Sequence, residues 1–334
     1  MIWLAWAPAM PETEPLRISV VIPVYNGAQT LPSVVAELHS FAEGSTTPLG
    51  RPFMISEVLL VWDRGSSQSA HRIRELDEEL PFVQPVWLSR NFGQHAATLA
   101  GMTSASGEWI ITMDEDGQQD PSFIGAMLDR AFETHSQLVY AAPTNAAPHG
   151  GLRNAASRAT KWFFLKVLAE GSFAEFNSYR LIHGEIARTV AAYTGSGVYL
   201  DVALSWVVAG VAQQPVTSRV EGRPPGSYSF GRLVGHFLRL VVSSGTRPLL
   251  FVSTLGIAFV ILGGLLTAWI VYNAIAGGVP IGGWASTMVA ILVVGGATLL
   301  SLGIIAQYVG AATNMSLGKP PYVVVRDPRN TFGE

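Results

Sequence analysis

The sequence contains no cysteine, and only 13% of its 334 residues are charged. Without cysteine the chain cannot form disulfides, thiolate-bound zinc sites, iron–sulfur clusters or a thiol nucleophile. A typical soluble domain carries roughly 25% charged residues, so this composition argues against an ordinary soluble enzyme and against a disordered chain. The formal net charge of −3 also lacks the basic excess expected of a nucleic-acid-binding protein.

Charged residues are missing altogether from one long stretch of the chain. Between Pro248 and Gly318 the sequence has no Asp, Glu, Lys, Arg or His. Two apolar runs within this stretch, 249–272 and 284–308, are each long enough to cross a hydrocarbon core of ~30 Å as a helix that rises ~1.5 Å per residue. We therefore predict two transmembrane helices, with a pair of buried core helices as the alternative.

Basic residues flank the uncharged stretch on both sides, and none lies between the two apolar runs. By the positive-inside rule both flanks are cytoplasmic and the connecting segment faces outside. Directly before the first run, apolar residues from Phe230 to Val241 recur at helical spacing, with Arg232 and Arg239 on the opposite face. This pattern predicts an amphipathic helix on the membrane surface; a helix packed on the soluble part is the alternative.

Common cofactor signatures are also absent. The chain has no G-x-G-x-x-G after its first predicted strand, no G-x-x-x-x-G-K-[ST] and no H-E-x-x-H. These absences disfavour a dinucleotide site, a P-loop and a zinc hydrolase site.

Residues 17–145 alternate between strand and helix patterns. The predicted strands are 18–24, 58–62, 83–88 and 109–113, and the predicted helices are 30–41, 69–80, 94–105 and 121–134. This order indicates an α/β fold with a mostly parallel sheet and helices on both faces. Ligands of such sheets bind beyond the carboxyl ends of the strands, which directs attention to 23–26, 63–66, 89–93 and 114–118.

The most informative of these segments is Asp-Glu-Asp-Gly-Gln at 114–118, directly after an apolar strand. Alternate residues of an extended chain point the same way, so we expect Asp114, Asp116 and Gln118 to converge on one ion. Oxygen ligands without His or Cys suit Mg²⁺ or Mn²⁺ shared with substrate phosphates. The alternative is a solvated acidic turn that caps the next helix through Asp120.

Several motifs in order resemble the polyprenyl-phosphate glycosyltransferases, a group of the family 2 glycosyltransferases of GT-A fold that includes dolichol-phosphate mannose synthases, bactoprenol glucosyltransferases and undecaprenyl-phosphate formamido-arabinose transferases. The resemblance covers about residues 17–326. The matching strings are SVVIPVYN (19–26), LSRNFGQHAATLAG (88–101), GEWIITMDEDGQQDP (107–121), GSYSF (226–230) and LGIIAQYVG (302–310).

The resemblance implies an organisation and an activity. It implies an N-terminal extension (1–16), a Rossmann-like GT-A catalytic domain (17–228), the amphipathic helix (229–247), two transmembrane helices (248–310) and a cytoplasmic tail (311–334). It also implies a multi-pass protein of the bacterial plasma membrane with the catalytic domain and both termini in the cytoplasm. The implied reaction is inverting transfer of a sugar from a nucleotide diphosphate sugar to an undecaprenyl or decaprenyl phosphate. The product is a lipid-linked monosaccharide for cell-envelope glycan modification. The family further implies a homo-oligomer, a tetramer.

Roles are carried over residue by residue. The nucleotide-binding set is Pro23, Tyr25, Asn26, Asp63, Arg90, Asn91 and Asp114; the metal set is Asp114, Asp116 and Gln118; and the catalytic set is Asp114, Asp116 and Arg223. We expect basic residues near the membrane to meet the acceptor phosphate, namely Arg153, Arg158, Lys161, Lys166 and Arg180.

The chain departs from the family pattern in places. Gly27 stands where the family usually has an acid, Asp63 stands alone in WDRGSS where adjacent acids are usual, and many relatives have Asp where this chain has Ser178.

Three other functions are weighed against this one. An inactive membrane scaffold is favoured by the altered WDRGSS string. A processive polysaccharide synthase is disfavoured because Q-x-x-R-W is absent. A channel or transporter is disfavoured because the apolar runs hold no ionisable residue. For an enzyme, we expect truncation after about Arg247 to leave a domain that still binds nucleotide sugar.

Overall fold

The computed structural model describes residues 14–145, 176–195, 198–219 and 283–329, with single positions and short runs between 252 and 272. These residues form two compact units. The first contains the described residues up to 219 together with 320–329, and the second contains the described residues from 252 to 319.

The first unit consists of a sheet with helices on both sides. Its strands are β1 (Leu16–Val24), β2 (Ser45–Thr46), β3 (Pro52–Trp62), β4 (Val83–Leu88), β5 (Trp109–Thr112), β6 (Leu138–Pro143), β7 (Arg180–His183), β8 (Val211–Val216) and β9 (Val324–Val325). Its helices are α1 (Leu31–His39), α2 (Ser67–Glu79), α3 (Gln94–Ser104), α4 (Ile124–Thr134), α5 (Gly184–Tyr193) and α6 (Leu200–Val207), with a 3₁₀ turn at Pro121–Phe123 before α4.

The strand order in the sheet is β8-β6-β7-β5-β1-β3-β4-β9, with β2 paired to β3. The four central strands, β5, β1, β3 and β4, are parallel. Strand β7 is antiparallel to both of its neighbours, and β9 is antiparallel to β4. The prediction of an α/β fold with a mostly parallel sheet is therefore confirmed.

The sheet is buried on both faces because its central strands are almost uninterrupted apolar runs, as expected of parallel strands covered by helices. Along β1, Val20 and Ile22 pack with α1, α2 and α4, while Val21 packs on the opposite face with α3, α5 and α6. This arrangement brings the loops that follow β1, β3, β4 and β5 to one edge of the sheet.

The predicted strands and helices up to residue 134 all occur, with some changes of boundary. Strand β3 begins at Pro52, six residues before the predicted start. The prediction missed residues 52–57 because they alternate between buried and partly exposed positions and do not form an apolar run. The last predicted helix is divided between the 3₁₀ turn and α4.

The second unit contains one long apolar helix, α7 (Trp284–Ser316). Among the described residues, one segment, Val293–Ser316, is long and apolar enough to cross a membrane. Large apolar side chains such as Leu299 (72%) and Leu302 (61%) are exposed, which argues against a soluble core helix. The helix continues eight residues past the predicted end of the second run at Tyr308.

The other predicted membrane segments are described sparsely or not at all. The positions described between 252 and 272 are helical, but most of that run lies outside the described residues. The amphipathic segment 229–247 lies wholly outside them. Two transmembrane helices therefore remain a prediction.

The described residues after α7, 320–329, belong to the first unit. Strand β9 pairs with β4 and forms the edge of the sheet. A chain cut after Arg247 lacks this strand of the sheet, and the expectation that it still binds nucleotide sugar stays a prediction.

Candidate active site

A cavity of about 440 Å³ lies at the carboxyl ends of the central strands. The loops after β1, β3, β4 and β5 all contribute to its wall. It is lined by Pro23, Val24, Tyr25, Asp63, Asn91, Gly93, Gln94, Asp114, Glu115 and Asp116. The structure thus brings together six of the residues that the sequence identified, although they are spread over more than 90 positions of the chain.

Asp63 follows β3 and is buried, with 4% exposure. Its two carboxylate oxygens accept the backbone N–H groups of Phe92 (2.7 Å) and Gly93 (2.8 Å). Burial raises the pKa of Asp63, although these two hydrogen bonds and the charge of Arg90 oppose the shift. Asp63 therefore fixes the loop between β4 and α3 against the end of β3.

The β1 and β3 loops pass very close to each other. Ser66 donates its backbone N–H to the carbonyl of Tyr25 (2.8 Å). A Cβ at Gly65 would lie 1.7 Å from the same carbonyl oxygen, so this position accepts only glycine without movement of the backbone. The Tyr25 side chain is left 53% exposed at the cavity wall, where its ring offers a face for an aromatic ligand.

Glu115 is a site residue that sequence reasoning missed. Its carboxylate accepts the backbone N–H groups of Tyr25 (2.9 Å) and Asn26 (3.0 Å). The carboxylate occupies space that Gly27 leaves open, since a Cβ at Gly27 would lie 2.5 Å from a Glu115 oxygen. The family usually has an acid at position 27, and in this chain Glu115 brings a carboxylate to the same loop from the end of β5.

For the nucleotide-sugar donor that the sequence predicts, we expect Glu115→Ala to raise the KM about tenfold and to leave kcat within threefold, because two backbone N–H groups of the Tyr25 loop lose a charged acceptor worth ~1.5–3 kcal/mol. Steady-state kinetics measures both constants. Glu133→Ala, a change of an exposed acid on α4, is the control and should have no effect. An unchanged KM in Glu115→Ala would exclude this role of the carboxylate.

Asp114 lies at the centre of a network of neutral hydrogen-bond donors. Its oxygens accept from the side chains of Gln94 (2.5 Å), Ser178 (2.5 Å) and Gln119 (2.9 Å). Burial is the main cause of a raised pKa at Asp114, and the nearby charge of Asp116 adds to it, while the Ser178 hydroxyl opposes it.

Asp116 faces the same space as Asp114, and its oxygen also accepts the backbone N–H of Gln118 (3.1 Å). Among the residues that the structure describes, no Lys or Arg forms an ion pair with Asp114 or Asp116. Burial and the charge of Asp116 raise the pKa of Asp114, and the charge of the buried Arg180 opposes them only in part. A divalent cation relieves the remaining repulsion between the two carboxylates.

The donor set fits a hard divalent ion. Asp114, Asp116 and Gln118 offer oxygen atoms only, which suits Mg²⁺ or Mn²⁺. Within the described part of the chain no group of three or more His, Cys, Asp or Glu residues is arranged to hold a metal. Two carboxylates and an amide leave coordination positions for phosphate oxygens and water, as expected for an ion that arrives with a phosphorylated substrate.

A second, smaller cavity of about 210 Å³ shares Asp114 and Asp116 with the first. Its other lining residues are mostly neutral and polar, and the sequence pointed to few of them. They include Gln118, Gln119, Asn177, Ser178, Thr217 and Ser218. The two aspartates therefore stand at the junction of two cavities.

Arg219 holds the acidic loop in place and was also missed. Its guanidinium donates to both carboxylate oxygens of Glu37 on α1 (2.8 Å each) and lies 3.0 Å from Asp120. Its backbone N–H donates to the carbonyl of Gln118 (2.9 Å). Burial alone would raise the pKa of Asp120, but hydrogen bonds from Ser122 and the charge of Arg219 hold it below its ordinary value.

Arg180 does not occupy the place that the sequence assigned to it. It is 3% exposed, its guanidinium pairs with the buried Asp201, and its Nε donates to Thr112 (3.1 Å). The hydroxyl of Tyr140 donates to the same Asp201 carboxylate (2.7 Å). A guanidinium committed to a buried carboxylate is not available to an acceptor phosphate, so Arg180 is removed from that set.

The remaining predicted residues fall into two groups. Asn26 and Arg90 are exposed beside the larger cavity, and the Arg90 guanidinium lies 4.2 Å from the centre of the Phe92 ring. The other basic residues lie outside the described residues; they are Arg153, Arg158, Lys161, Lys166 and Arg223.

Comparison with known proteins yields one family and full-length relatives. A family model described as glycosyl transferase family 2 matches residues 19–188. The bactoprenol glucosyl transferase of Shigella phage SfV is 25% identical over 92% of this chain and 98% of its own length. The undecaprenyl-phosphate 4-deoxy-4-formamido-L-arabinose transferase of Klebsiella pneumoniae is 27% identical over 95% of this chain and 96% of its own length.

Among solved structures, mannosyl-3-phosphoglycerate synthase from Rubrobacter xylanophilus is similar with a TM-score of 0.50 and 16% identity, over 70% of this chain and 74% of that chain. This likeness supports the fold alone. The similarity to the two sequence relatives extends further, because it includes most of the uncharged part of this chain.

Proposed function

Because the chain belongs to glycosyl transferase family 2, we propose that it transfers a sugar from a nucleotide diphosphate sugar to a polyprenyl phosphate in a membrane. The observation that carries the proposal is the junction of two cavities at Asp114 and Asp116. The two relatives whose names specify bactoprenol and undecaprenyl phosphate match over nearly their whole length. Their likeness supports a lipid phosphate as the acceptor.

The larger cavity accepts the nucleotide. Tyr25 offers an exposed aromatic face for the base, and Asn91 and Gly93 form the wall that Asp63 fixes. The diphosphate lies against Asp114 and Asp116, which with Gln118 would hold Mg²⁺ or Mn²⁺. When bound, such an ion neutralises the negative charge of the nucleoside diphosphate as it leaves.

The smaller cavity accepts the transferred sugar. Amide and hydroxyl groups of Gln119, Asn177 and Ser178 line it, and groups of this kind can both donate hydrogen bonds to sugar hydroxyls and accept hydrogen bonds from them. Its wall also contains the carboxylates of Asp114, Asp116 and Asp120. Its position beyond the aspartates puts a sugar on the far side of the diphosphate from the base. The identity of the lining residues is then what selects the sugar.

The acceptor needs no protein base. A phosphate monoester carries about −1.5 to −2 charge at pH 7, so one of its oxygens is already a nucleophile. That oxygen forms a bond to the anomeric carbon as the bond from this carbon to the diphosphate breaks, and the leaving nucleoside diphosphate keeps the electron pair. A single displacement of this kind inverts the anomeric centre, and the protein contributes alignment of the reactants.

The apolar helix α7 brings the chain to the acceptor. The segment Val293–Ser316 of this helix is long enough to cross the hydrocarbon core and carries no charge. We place it in the bacterial plasma membrane as one of two spans, with the catalytic unit and both termini in the cytoplasm. A homo-oligomer, and a tetramer in particular, belongs to the same proposal.

Ser178→Ala is expected to keep transfer activity within about tenfold, or ~1.4 kcal/mol of barrier. The hydroxyl donates one hydrogen bond to Asp114, but Gln94 and Gln119 also donate to that carboxylate. Initial rates at saturating donor and acceptor check this. A loss of several orders of magnitude would mean that Ser178 has a direct catalytic part.

A donor screen tests the proposed function. Purified protein in a bilayer, with a short polyprenyl phosphate and Mg²⁺ or Mn²⁺, is expected to form a lipid-linked monosaccharide from one nucleotide sugar. The matched control replaces the acceptor with the corresponding polyprenol, which lacks the phosphate and should give no product. Product from the polyprenol, or no product from any donor, would overturn the proposal.

A further inference from the structure

The segment that follows the apolar helix forms an edge of the sheet beside the donor cavity. Val324 and Val325 pair antiparallel with Leu88 and Trp87 of β4. One further contact extends the pairing past the strand, because Ser89 donates its backbone N–H to the carbonyl of Val323 (3.0 Å). We name the segment Tyr322–Asp327 the C-terminal strap.

The strap is held by side chains as well as by its backbone. Asp327 accepts two hydrogen bonds from the Arg74 guanidinium, each 2.7 Å long, and both side chains are mostly buried, at 16% and 13% exposure. Such two-point pairs are stronger than single contacts and fix direction as well as distance. The Arg74 guanidinium also lies 4.8 Å from the centre of the Trp87 ring. At the other end of the strap, the Tyr322 and Thr103 hydroxyls are 2.7 Å apart.

The loop beside the strap is part of the donor cavity. Residues 89–93 connect β4 to α3, and Asn91 and Gly93 line the cavity. Asp63 holds the loop at its far end through Phe92 and Gly93. The strap holds its near end through Ser89. The loop is therefore fixed at two points, one of them supplied by residues more than 220 positions away in the sequence.

We propose that the C-terminal strap is a working part of the nucleotide-sugar site, which it serves by fixing the loop 89–93. The inference rests on the proposed function, since it takes the larger cavity as the donor site. It makes Asp327, Arg74 and Val323 positioning residues for donor binding, although the strap itself is absent from the lining of the cavity. It also follows that the catalytic unit is incomplete without the chain beyond the apolar helix.

The ion pair between Arg74 and Asp327 stays intact at the pH of an ordinary assay. Hydrogen bonds from Arg74 lower the pKa of Asp327 to about 2. The stabilisation by this carboxylate is therefore complete above its ordinary pKa, and it is lost only as the pH falls towards 2. Donor binding measured between pH 6 and pH 8 tests the strap in its attached state.

The experiment uses the full-length chain in a bilayer. We expect Asp327→Ala to raise the donor KM at least fivefold with kcat within twofold, and to speed hydrogen exchange of the peptide that contains 89–93 at least tenfold. Arg74→Glu should have the same effects, and Arg74→Glu with Asp327→Arg should return both readings to within twofold of the original chain. Glu79→Ala, an equal change of charge at an exposed position of α2, is the control and should change neither.

The two readings separate the inference from the proposed function. Hydrogen exchange reports on the loop whether or not a sugar is transferred, so a chain without transferase activity still tests the hold of the strap. Unchanged exchange and unchanged KM in both single variants would overturn the inference. Faster exchange with an unchanged KM would overturn it too, because the strap would then stabilise the sheet without serving the donor site.

Discussion

Replacement of Asp116 by Ala is expected to reduce transfer by at least a thousandfold. The residue is one of two carboxylates at the junction of the cavities, and no described Lys or Arg pairs with it. A loss of this size corresponds to ~4 kcal/mol of barrier, which is reasonable for a group that neutralises charge on the leaving diphosphate through a bound ion. Initial rates with Mg²⁺ or Mn²⁺ measure the effect.

Two comparisons separate a metal ligand from a structural residue. Asp116→Asn keeps the shape of the side chain and removes its charge, so it should lose nearly as much activity as the alanine variant, while both keep the unfolding temperature of the original chain. Excess EDTA should abolish the activity of the original chain, and added Mn²⁺ should restore it. Full activity in EDTA would contradict the metal assignment.

Asp63→Ala is expected to weaken binding of the nucleotide diphosphate about a hundredfold. The variant leaves the backbone N–H groups of Phe92 and Gly93 without their acceptor in a partly buried position. Each unmet donor costs ~1–3 kcal/mol, and the two together correspond to a factor of about a hundred when their loop no longer lies against the nucleotide. Isothermal titration of the nucleotide diphosphate measures the change directly.

The control for this variant is Asp77→Ala, which removes an exposed carboxylate from α2 and should leave the affinity unchanged. The affinity of Asp63→Asn should lie between those of the original chain and Asp63→Ala, because the one amide oxygen can replace only one of the two carboxylate oxygens that accept the backbone N–H groups. A full affinity in Asp63→Ala, with its unfolding temperature preserved, would show that the loop 89–93 does not depend on this carboxylate and would remove Asp63 from the donor site.

The sequence predicted the central sheet well because the parallel strands are buried on both faces. Most of β1 and the whole of β5 are buried runs that any burial argument detects, and β4 ends in one, Val86–Leu88. The same argument fails for β7, which begins with Arg180 and ends with His183, and for β9, which has only two residues. The pairing of these strands with β5 and β4 depends on residues distant in the chain. Their antiparallel direction follows from chain connections that no local pattern encodes.

The candidate site divides in the same way. Asp63 was found because it directly follows β3, and Asp114 and Asp116 were found because they lie in the loop after β5. Glu115 was missed because its role depends on the open space at Gly27, a contact between two loops that the sequence does not reveal. Arg180 was misassigned because a pattern of residues cannot distinguish an exposed arginine from one that is buried against Asp201.

The most direct test of the central claim is product analysis with the labelled donor that the screen identifies, a short polyprenyl phosphate, and the original and Asp116→Ala chains side by side. The account predicts a sugar phosphodiester of the lipid with inverted anomeric configuration, formed by the original chain alone and only when Mg²⁺ or Mn²⁺ is present. A free sugar as the sole product, a retained configuration, or equal amounts of lipid product from both chains would contradict it.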